Sequence, residues 1–273
     1  MKITLEKLLN IDYDYVTSEI CAFIKKHVED AGLRGAVIGL SGGIDSSTTA
    51  FLTVRALGAE NVLGLIMPYR TTPKEDVEDA KKVAEKLGIR YVMIDISEIR
   101  DAYARSIPDF DESDRVAAGN LLPRIRMMLL YYYANKYKYI VVGTGDRSEL
   151  LIGYFTKYGD GGVDILPIGS LYKTQVRMLG RYLGVPENIV NKPSSPRLWP
   201  GHLAEEELGL KYEEIDLILH ALFDLGLDID ETVRATGLPR EKVLKVLEMY
   251  ERSKHKRKMP PTPLLEPSRM YKM

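Results

Sequence analysis

The chain has 273 residues, 45% of them hydrophobic and 28% charged, with a formal net charge of −1. That size and balance fit one α/β domain, or one with a small helical appendage, and exclude a strongly basic, nucleic-acid-coating protein. The single cysteine, Cys21, excludes an intramolecular disulfide and any Cys-x-x-Cys metal or sulfur-relay pair. With no signal-like N-terminus and no run of about eighteen apolar residues, a cytoplasmic protein with no membrane role is expected.

In chain order, the periodicity predicts a helix over about Val16–Ala31, a strand at Ala36–Leu40, a Gly-rich loop and a helix over Asp45–Leu57. A strand at Val62–Met67, a helix over Pro73–Leu87, a strand at Tyr91–Asp95 and a helical stretch at Ser97–Arg105 follow. A long helix is expected near Ser113–Lys136, then a strand at Tyr139–Gly143 that ends at Thr144, and a further helix from near Asp146. Strands alternating with helices are the pattern of parallel βαβ units, so the expected fold is α/β: a doubly wound, mostly parallel, Rossmann-like sheet. Beyond about Pro200 the chain turns helical, with short amphipathic helices at Tyr212–Leu225, Asp230–Thr236 and Arg240–Tyr250. No repeat or linker interrupts it, and a single domain over 1–273 is expected, with its core at about 16–200 and a helical C-terminal extension at about 201–273.

The loop Gly39, Leu40, Ser41, Gly42, Gly43, Ile44, Asp45, Ser46 carries the sharpest chemistry. Glycines let backbone N–H groups approach an anion, the following helix offers its positive end, and the serines add hydroxyl donors. Asp45 is informative because a carboxylate beside a phosphate is repulsive unless a divalent cation stands between them. Nucleotide and Mg2+ are therefore both implied. A Walker A loop would end Gly-Lys-Ser/Thr, and this loop holds no lysine, which argues against γ-phosphoryl transfer. Ser-Gly-Gly-Ile-Asp-Ser instead resembles the loop of the ATP pyrophosphatases, which cleave ATP between the α and β phosphates; a capped turn without ligand is the plain alternative.

A second segment, Gly143 to Lys173, is dense in binding groups. Glu149, five residues past Thr144 at a strand's carboxyl end, is placed to face Asp45 as a second metal ligand, or else to serve as an ordinary acidic helix start. Gly159, Gly161 and Gly162 read as a flexible loop able to close over substrate and exclude water.

Together these segments resemble ammonia-dependent NAD synthetases, and the likeness spans almost the whole chain. It is carried by Ser41–Ser46, Gly119-Asn120 with Pro123–Met127, Gly143-Thr144, Gly153–Asp164, Leu166-Pro167, and Lys173 with Gln175–Arg177. It continues through Lys192–Ser195, Leu198–Gly201, Glu206–Gly209 and His255–Arg257. The block Gly-Tyr-Phe-Thr-Lys-Tyr-Gly-Asp-Gly-Gly-Val-Asp is specific, because other ATP pyrophosphatases share the first loop and not this one. The resemblance implies amidation of deamido-NAD with ammonia, through an adenylated carboxylate, to give NAD, AMP and pyrophosphate, the last step of NAD synthesis. It implies ATP phosphates on the Ser41–Ser46 loop, magnesium on Asp45 and Glu149, ATP contacts from Thr144, Lys173 and Ser195, and a catalytic centre of Asp45, Glu149, Asp160 and Lys173. Arg124, Lys157, Asp164, His255 and Lys256 match contacts to deamido-NAD, and the family expectation is a homodimer.

Each assignment has a plainer rival. Asp160 is a candidate to guide or deprotonate ammonium, or only a turn former. Lys157 and Lys173 could be solvated lysines, and the run Arg252–Lys258 a basic tail. Arg124 and Arg126, two apart on a helix, cannot share one face. Met127–Tyr133 is apolar nearly all round its helix, as core packing or a dimer contact would require. His202-Leu203-Ala204 departs from the more usual Gln-Thr-Asp, and Ser195 replaces threonine while keeping the hydroxyl. Sulfur transfer to tRNA would want paired cysteines, a purine-amidating enzyme would want a different Tyr154–Asp164 segment, and a non-enzymatic regulator would bind ATP without releasing pyrophosphate.

Overall fold

The computed structural model describes residues 2–199, 201–266 and 270. Met1, Pro200 of the Leu198–Gly201 block, and residues 267–269 and 271–273 of the expected C-terminal extension lie outside the described residues. The chain opens with α1 (Leu5–Leu9) and α2 (Tyr13–Asp30), the latter capped by the Asp12 carboxylate accepting from Tyr15 N at 2.9 Å. It continues through β1 (Gly35–Gly39), α3 (Ile44–Leu57), β2 (Val62–Ile66), α4 (Lys74–Leu87), β3 (Arg90–Met93), α5 (Ser97–Arg105), α6 (Arg115–Gly119), α7 (Leu121–Tyr137), β4 (Tyr139–Val142) and α8 (Arg147–Ile152). After an irregular stretch come α9 (Lys173–Leu183), α10 (Glu187–Val190), α11 (Ala204–Leu208), α12 (Tyr212–Leu219), α13 (Ile229–Thr236) and α14 (Arg240–Arg252).

The four strands form one parallel sheet in the order β3-β2-β1-β4. In register, Val37 pairs with Leu63 on one side and Val141 on the other. Alternate side chains enter two cores: Ala36, Ile38, Ile66 and Val142 pack with α2, α3, α4 and α9, while Val37, Leu63, Leu65 and Val141 pack with α7. Both faces are covered, which is why β1, β2 and β4 are almost wholly apolar, and the α/β, doubly wound fold stands as expected. A third cluster gathers α11, α12 and α14 around Tyr212, Ile215 and Ile218, with Ile152 of α8 joining it.

Three differences from the expected elements have physical causes. The long helix over 113–136 is two helices that meet at Asn120, because the Pro123 ring would collide with the carbonyl of residue 119 in a continuous helix and has no N–H to give it. The helix expected over 212–225 is α12 followed by a π-helical turn at His220–Asp224, closed by Leu225 N donating to His220 O at 3.1 Å. Helix α9 falls where no element was expected. Its apolar face, Val176, Leu179 and Leu183, packs into the first core beside α3.

That packing positions the site. An ideal Cβ on Gly180 would lie 2.6 Å from Thr48 Oγ1 and 2.7 Å from Ile44 Cδ1, so only glycine lets α9 come this close to α3. The C-terminal half of α9 thus lies against the first turns of α3, and from the start of α9 the Lys173 side chain reaches Asp45. On the far side of the sheet, Met128 is 49% and Tyr132 59% exposed, so one side of the apolar α7 segment is bare in a single copy.

Candidate active site

β1 delivers Gly39 and Leu40 into the loop, and Leu40 N still pairs with Leu65 O at 2.8 Å, so the loop begins from a fixed strand end. Gly42 sits at φ +75°, and a Cβ there would fall 2.1 Å from the Asp76 carbonyl. Only glycine fits on both counts. The serine hydroxyls fasten the turn: Ser46 Oγ accepts from Ser41 N at 3.2 Å and meets Ser41 Oγ at 2.9 Å, and Ser47 Oγ donates to Gly43 O at 2.8 Å. Gly43 caps α3 without a side chain, leaving the first-turn N–H groups aimed outward as an anion would need.

Lys173 is the centre of the site. Its ammonium is fully buried and lies 2.8 Å from Asp45 Oδ2, 2.8 Å from Asp146 Oδ2 and 2.7 Å from Glu149 Oε1. Burial pulls its pKa down, but the Asp146, Asp45 and Glu149 carboxylates overcome this and hold it well above an ordinary lysine. One cation among three carboxylates leaves an excess of two negative charges, and burial with mutual repulsion pushes the Glu149 and Asp146 carboxyls upward. A dication would cancel that excess. Asp45 Oδ1 is buried with no hydrogen-bond partner, and the Asp45 and Glu149 side chains keep 24% and 20% exposure toward the cleft, while Asp146 has none. Among the described residues no group of three or more His, Cys, Asp or Glu forms a cage of its own. Two carboxylates completed by substrate oxygens suit Mg2+, which keeps water and phosphate in its shell, so the residues fit the ion.

The lysine is held from behind. Its backbone N donates to Ser148 Oγ at 2.9 Å, and Ser148 Oγ donates to Asp216 Oδ1 at 2.5 Å. Asp216 also accepts from Thr174 N at 2.9 Å and is fully buried, and burial pushes its carboxyl up to about 7.

A cavity of about 440 Å³ opens in front of this cluster. Its walls include Gly39 to Ser46 except Gly42, then Thr144, Glu149, Ser195, Asp160, Arg126 and Lys256. Of the expected ATP contacts, only Gly42 and the buried Lys173 lie outside this wall, and both stand immediately behind it. Ser195 Oγ is turned to the His202 carbonyl and accepts from Arg197 N at 3.3 Å. Asp160 accepts from Thr156 N at 2.9 Å, closing a tight turn, and its carboxyl is raised by burial although Lys256 and Arg126 stand near enough to oppose the rise. The surrounding glycines serve packing more than mobility: a Cβ on Gly161 would reach 2.6 Å from the Phe155 ring, and one on Gly159 would reach 2.9 Å from Thr156 Cγ2.

The expected dinucleotide contacts divide. Lys256 lies in the cavity wall, its ammonium donating to Gly153 O and Phe155 O at 2.7 Å each. Arg124, Lys157 and His255 form a strip beside it: Arg124 Nη2 donates to Lys157 O at 3.4 Å, and Lys157 Nζ to His255 O at 3.1 Å. Asp164 stands apart from that strip, accepting from Tyr131 Oη at 2.9 Å and Val141 N at 2.7 Å. Of the two helical arginines, Arg126 faces the cavity, donates from Nε to Met67 O at 3.1 Å and is lowered to about 10 by burial.

The profile of the family described as NAD synthase matches residues 16–260. The chain belongs to the NAD synthase family. It is 61% identical over 264 residues to an NH(3)-dependent NAD(+) synthetase of Hyperthermus butylicus, covering 96% of this chain and 95% of that one. The same description applies to a relative in Methanocaldococcus jannaschii, 49% identical over 249 residues, covering 91% and 96%. Among solved structures, an NH3-dependent NAD synthetase from Campylobacter jejuni in complex with nitrate aligns at TM-score 0.78 and 35% identity, covering 94% of this chain and all of that one. An NMN synthetase from Francisella tularensis aligns at TM-score 0.83 and 36% identity with the same coverage.

Several residues of this NAD synthase chain are in the site although their sequence context assigns them no role there. Asp146 reads as a helix cap, and it is one: Oδ1 accepts from Glu149 N at 2.9 Å, while Oδ2 holds Lys173. Tyr154 Oη and His202 Nε2 converge on Glu207 Oε2, each at 2.6 Å, and Trp199 stacks on His202 with centroids 3.5 Å apart. The available signal was His202, which opens the departing segment three residues after Trp199 of the matching block, but only the folded loop brings it against Tyr154.

Proposed function

We propose that this protein amidates deamido-NAD with ammonia at the expense of ATP, giving NAD, AMP and pyrophosphate. The observation that carries the reading is the buried Lys173 cluster behind a lysine-free phosphate loop, whose surplus negative charge calls for a metal-bound polyphosphate. The curated relatives named as NH(3)-dependent NAD(+) synthetases support it over nearly the whole chain. A nicotinate carboxylate is anionic and has no leaving group, so it must first be activated. Its oxygen attacks the α-phosphorus, the α–β bond breaks and pyrophosphate leaves. Ammonia then attacks the carbonyl carbon of the acyl adenylate, AMP leaves, and the nitrogen loses a proton.

In this reading the Ser41–Ser46 loop binds the polyphosphate, and Thr144 and Ser195 position the rest of the nucleotide. Asp45 and Glu149 hold Mg2+, which neutralises charge on the phosphate oxygens when bound. Lys173 offsets part of the charge on those two carboxylates and keeps them in place. Asp160, a carboxyl with raised pKa inside the cavity, takes the proton of incoming ammonium. Lys256 and the strip of Arg124, Lys157 and His255 receive the dinucleotide together with Asp164. A second copy covering Met128 and Tyr132 would make the protein a homodimer, and the enzyme is read as cytoplasmic; no helix among the described residues is long and apolar enough to cross a membrane.

The likeness to an NMN synthetase favours a second reading, in which the acceptor is the mononucleotide nicotinate ribotide and the chemistry is the same. Purified protein with ATP, Mg2+ and ammonium separates them. Pyrophosphate and NAD from deamido-NAD, lost in Asp45→Ala, support the first; turnover of the mononucleotide alone supports the second. Pyrophosphate with neither acceptor would overturn both. Replacing ammonium by glutamine should give no product.

A further inference from the structure

Outside the Lys173 cluster the molecule has a second buried ion group whose position bears on the phosphate loop. Lys192 Nζ donates to Gly42 O at 3.2 Å, to Asp76 Oδ1 at 2.9 Å and to Asp79 Oδ2 at 2.6 Å. Both aspartates belong to the first turns of α4, and their side chains keep only 6% and 2% exposure against 12% for the lysine. Arg197 Nε lies 2.8 Å from the other Asp76 oxygen, and Asn188 Nδ2 donates to the other Asp79 oxygen at 3.0 Å. Lys192 and Arg197 balance the two carboxylates, and Lys82, exposed, lies 3.8 Å from Asp79 Oδ1 as well, so this group, unlike the Lys173 cluster, has no negative charge left to offer a metal. An ammonium has three protons to donate, and all three of Lys192 go to protein oxygens.

We propose that Lys192 is a positioning residue for ATP: it fixes the phosphate loop and the segment bearing Ser195 in one rigid relation through α4. Gly42 already touches Asp76 through its backbone, where a Cβ would fall 2.1 Å from the carbonyl, and Lys192 ties the Gly42 carbonyl to the same aspartate's side chain. Lys192 and Asp76 line the same cavity as the loop, and with the Gly42 carbonyl engaged by this ammonium the loop is fixed with its first-turn N–H groups available to an anion. The other end of the tie is three residues before Ser195, and Arg197 two residues after it returns to Asp76, so the Ser195 hydroxyl is bracketed by two contacts with one carboxylate. Sites that bind polyphosphate by backbone N–H groups gain from such preorganisation, since a loop that must be ordered on binding costs affinity.

The inference rests on the proposed ATP chemistry, and the test separates the two. Steady-state kinetics are measured with ATP, Mg2+, deamido-NAD and ammonium for the intact protein, Lys192→Met, Lys192→Arg and Asp79→Asn, with folding followed by circular dichroism. An inactive parent protein would refute the chemistry itself. With an active parent, Lys192→Met is expected to raise KM for ATP about tenfold, the loss of one charge-assisted contact, while KM for deamido-NAD stays within twofold. Lys192→Arg should recover most of the difference, and the isosteric Asp79→Asn should raise KM for ATP about threefold. A merely structural lysine would lower the melting temperature and leave the ratio of the two KM values alone. KM for ATP within twofold of the parent in folded Lys192→Met overturns the proposal, and if that variant does not fold, the same result in Asp79→Asn does so.

Discussion

Lys173 Nζ and Asp45 Oδ2 stand 2.8 Å apart and join the first turn of α9 to the first turn of α3. The contact links the two halves of the site, since Asp45 follows the phosphate loop and Lys173 ends the Gly143–Lys173 segment. Removing the lysine leaves three carboxylates facing one another with no cation between them. Lys173→Met is expected to abolish turnover and to cost about 3–5 kcal/mol of stability at pH 7, the range for a broken buried pair. The cost should shrink in acid, where the carboxyls accept protons. Urea unfolding of parent and variant at pH 5 and pH 7 measures both, and a variant equally stable at pH 7 would show that the carboxylates do not depend on the lysine.

Asp146 has two separable duties. Oδ1 caps α8 through Glu149 N, and Oδ2 pairs with Lys173. Asp146→Asn keeps the cap and removes the charge, so the cluster's excess falls from two negative charges to one. Apparent Mg2+ affinity in the pyrophosphate assay should then weaken about tenfold, with little change in melting temperature. Equal Mg2+ dependence in parent and variant would place the charge outside the metal's field.

The sheet was legible because its signal is local: Val37, Leu63 and Val141 lie in short apolar runs bounded by Gly or polar turns, and the order of elements does the rest. The phosphate loop was legible for the same reason, being contiguous. Lys173 was readable only through family likeness, because an ammonium buried among carboxylates from two other segments, Asp45 of α3 and Asp146 with Glu149 of α8, has the sequence appearance of any surface lysine. Lys192 was harder still, since its partners lie 116 and 113 positions away in α4. The break at Asn120 could have been found from Pro123 alone, whose ring forbids a continuous helix.

Gly180 decides how near α9 comes to α3. Alanine in a helix gains about 1 kcal/mol over glycine, but here its Cβ would meet Thr48 Oγ1 at 2.6 Å and Ile44 Cδ1 at 2.7 Å. Overpacking costs about 1–3 kcal/mol, so the clash wins and Gly180→Ala is expected to be destabilised by about 1 kcal/mol. The same displacement moves Lys173 away from Asp45, so kcat should fall further than the stability loss explains. A variant with raised stability and unchanged kcat would show that α9 can shift without disturbing the site.

Asp216 gives the site a pH dependence of definite sign. Its carboxyl is pushed up to about 7 by burial, against an ordinary value near 3.8 in the unfolded chain. Between these values the folded protein binds a proton that the unfolded chain does not, so stability contributed by this group is fully present below about pH 4 and is lost as pH rises to 7. Asparagine cannot titrate, and its Oδ1 can still accept from Ser148 Oγ or Thr174 N. Relative to Asp216→Asn, the parent should therefore lose up to about 4 kcal/mol between pH 4 and pH 7 and change no further above that. Denaturant unfolding of both proteins across this window, without nucleotide or metal, reads the difference directly. A difference that grew in the opposite direction, with the parent gaining stability toward pH 7, would mean that the Ser148 and Thr174 hydrogen bonds outweigh burial and keep Asp216 ionised beneath Lys173.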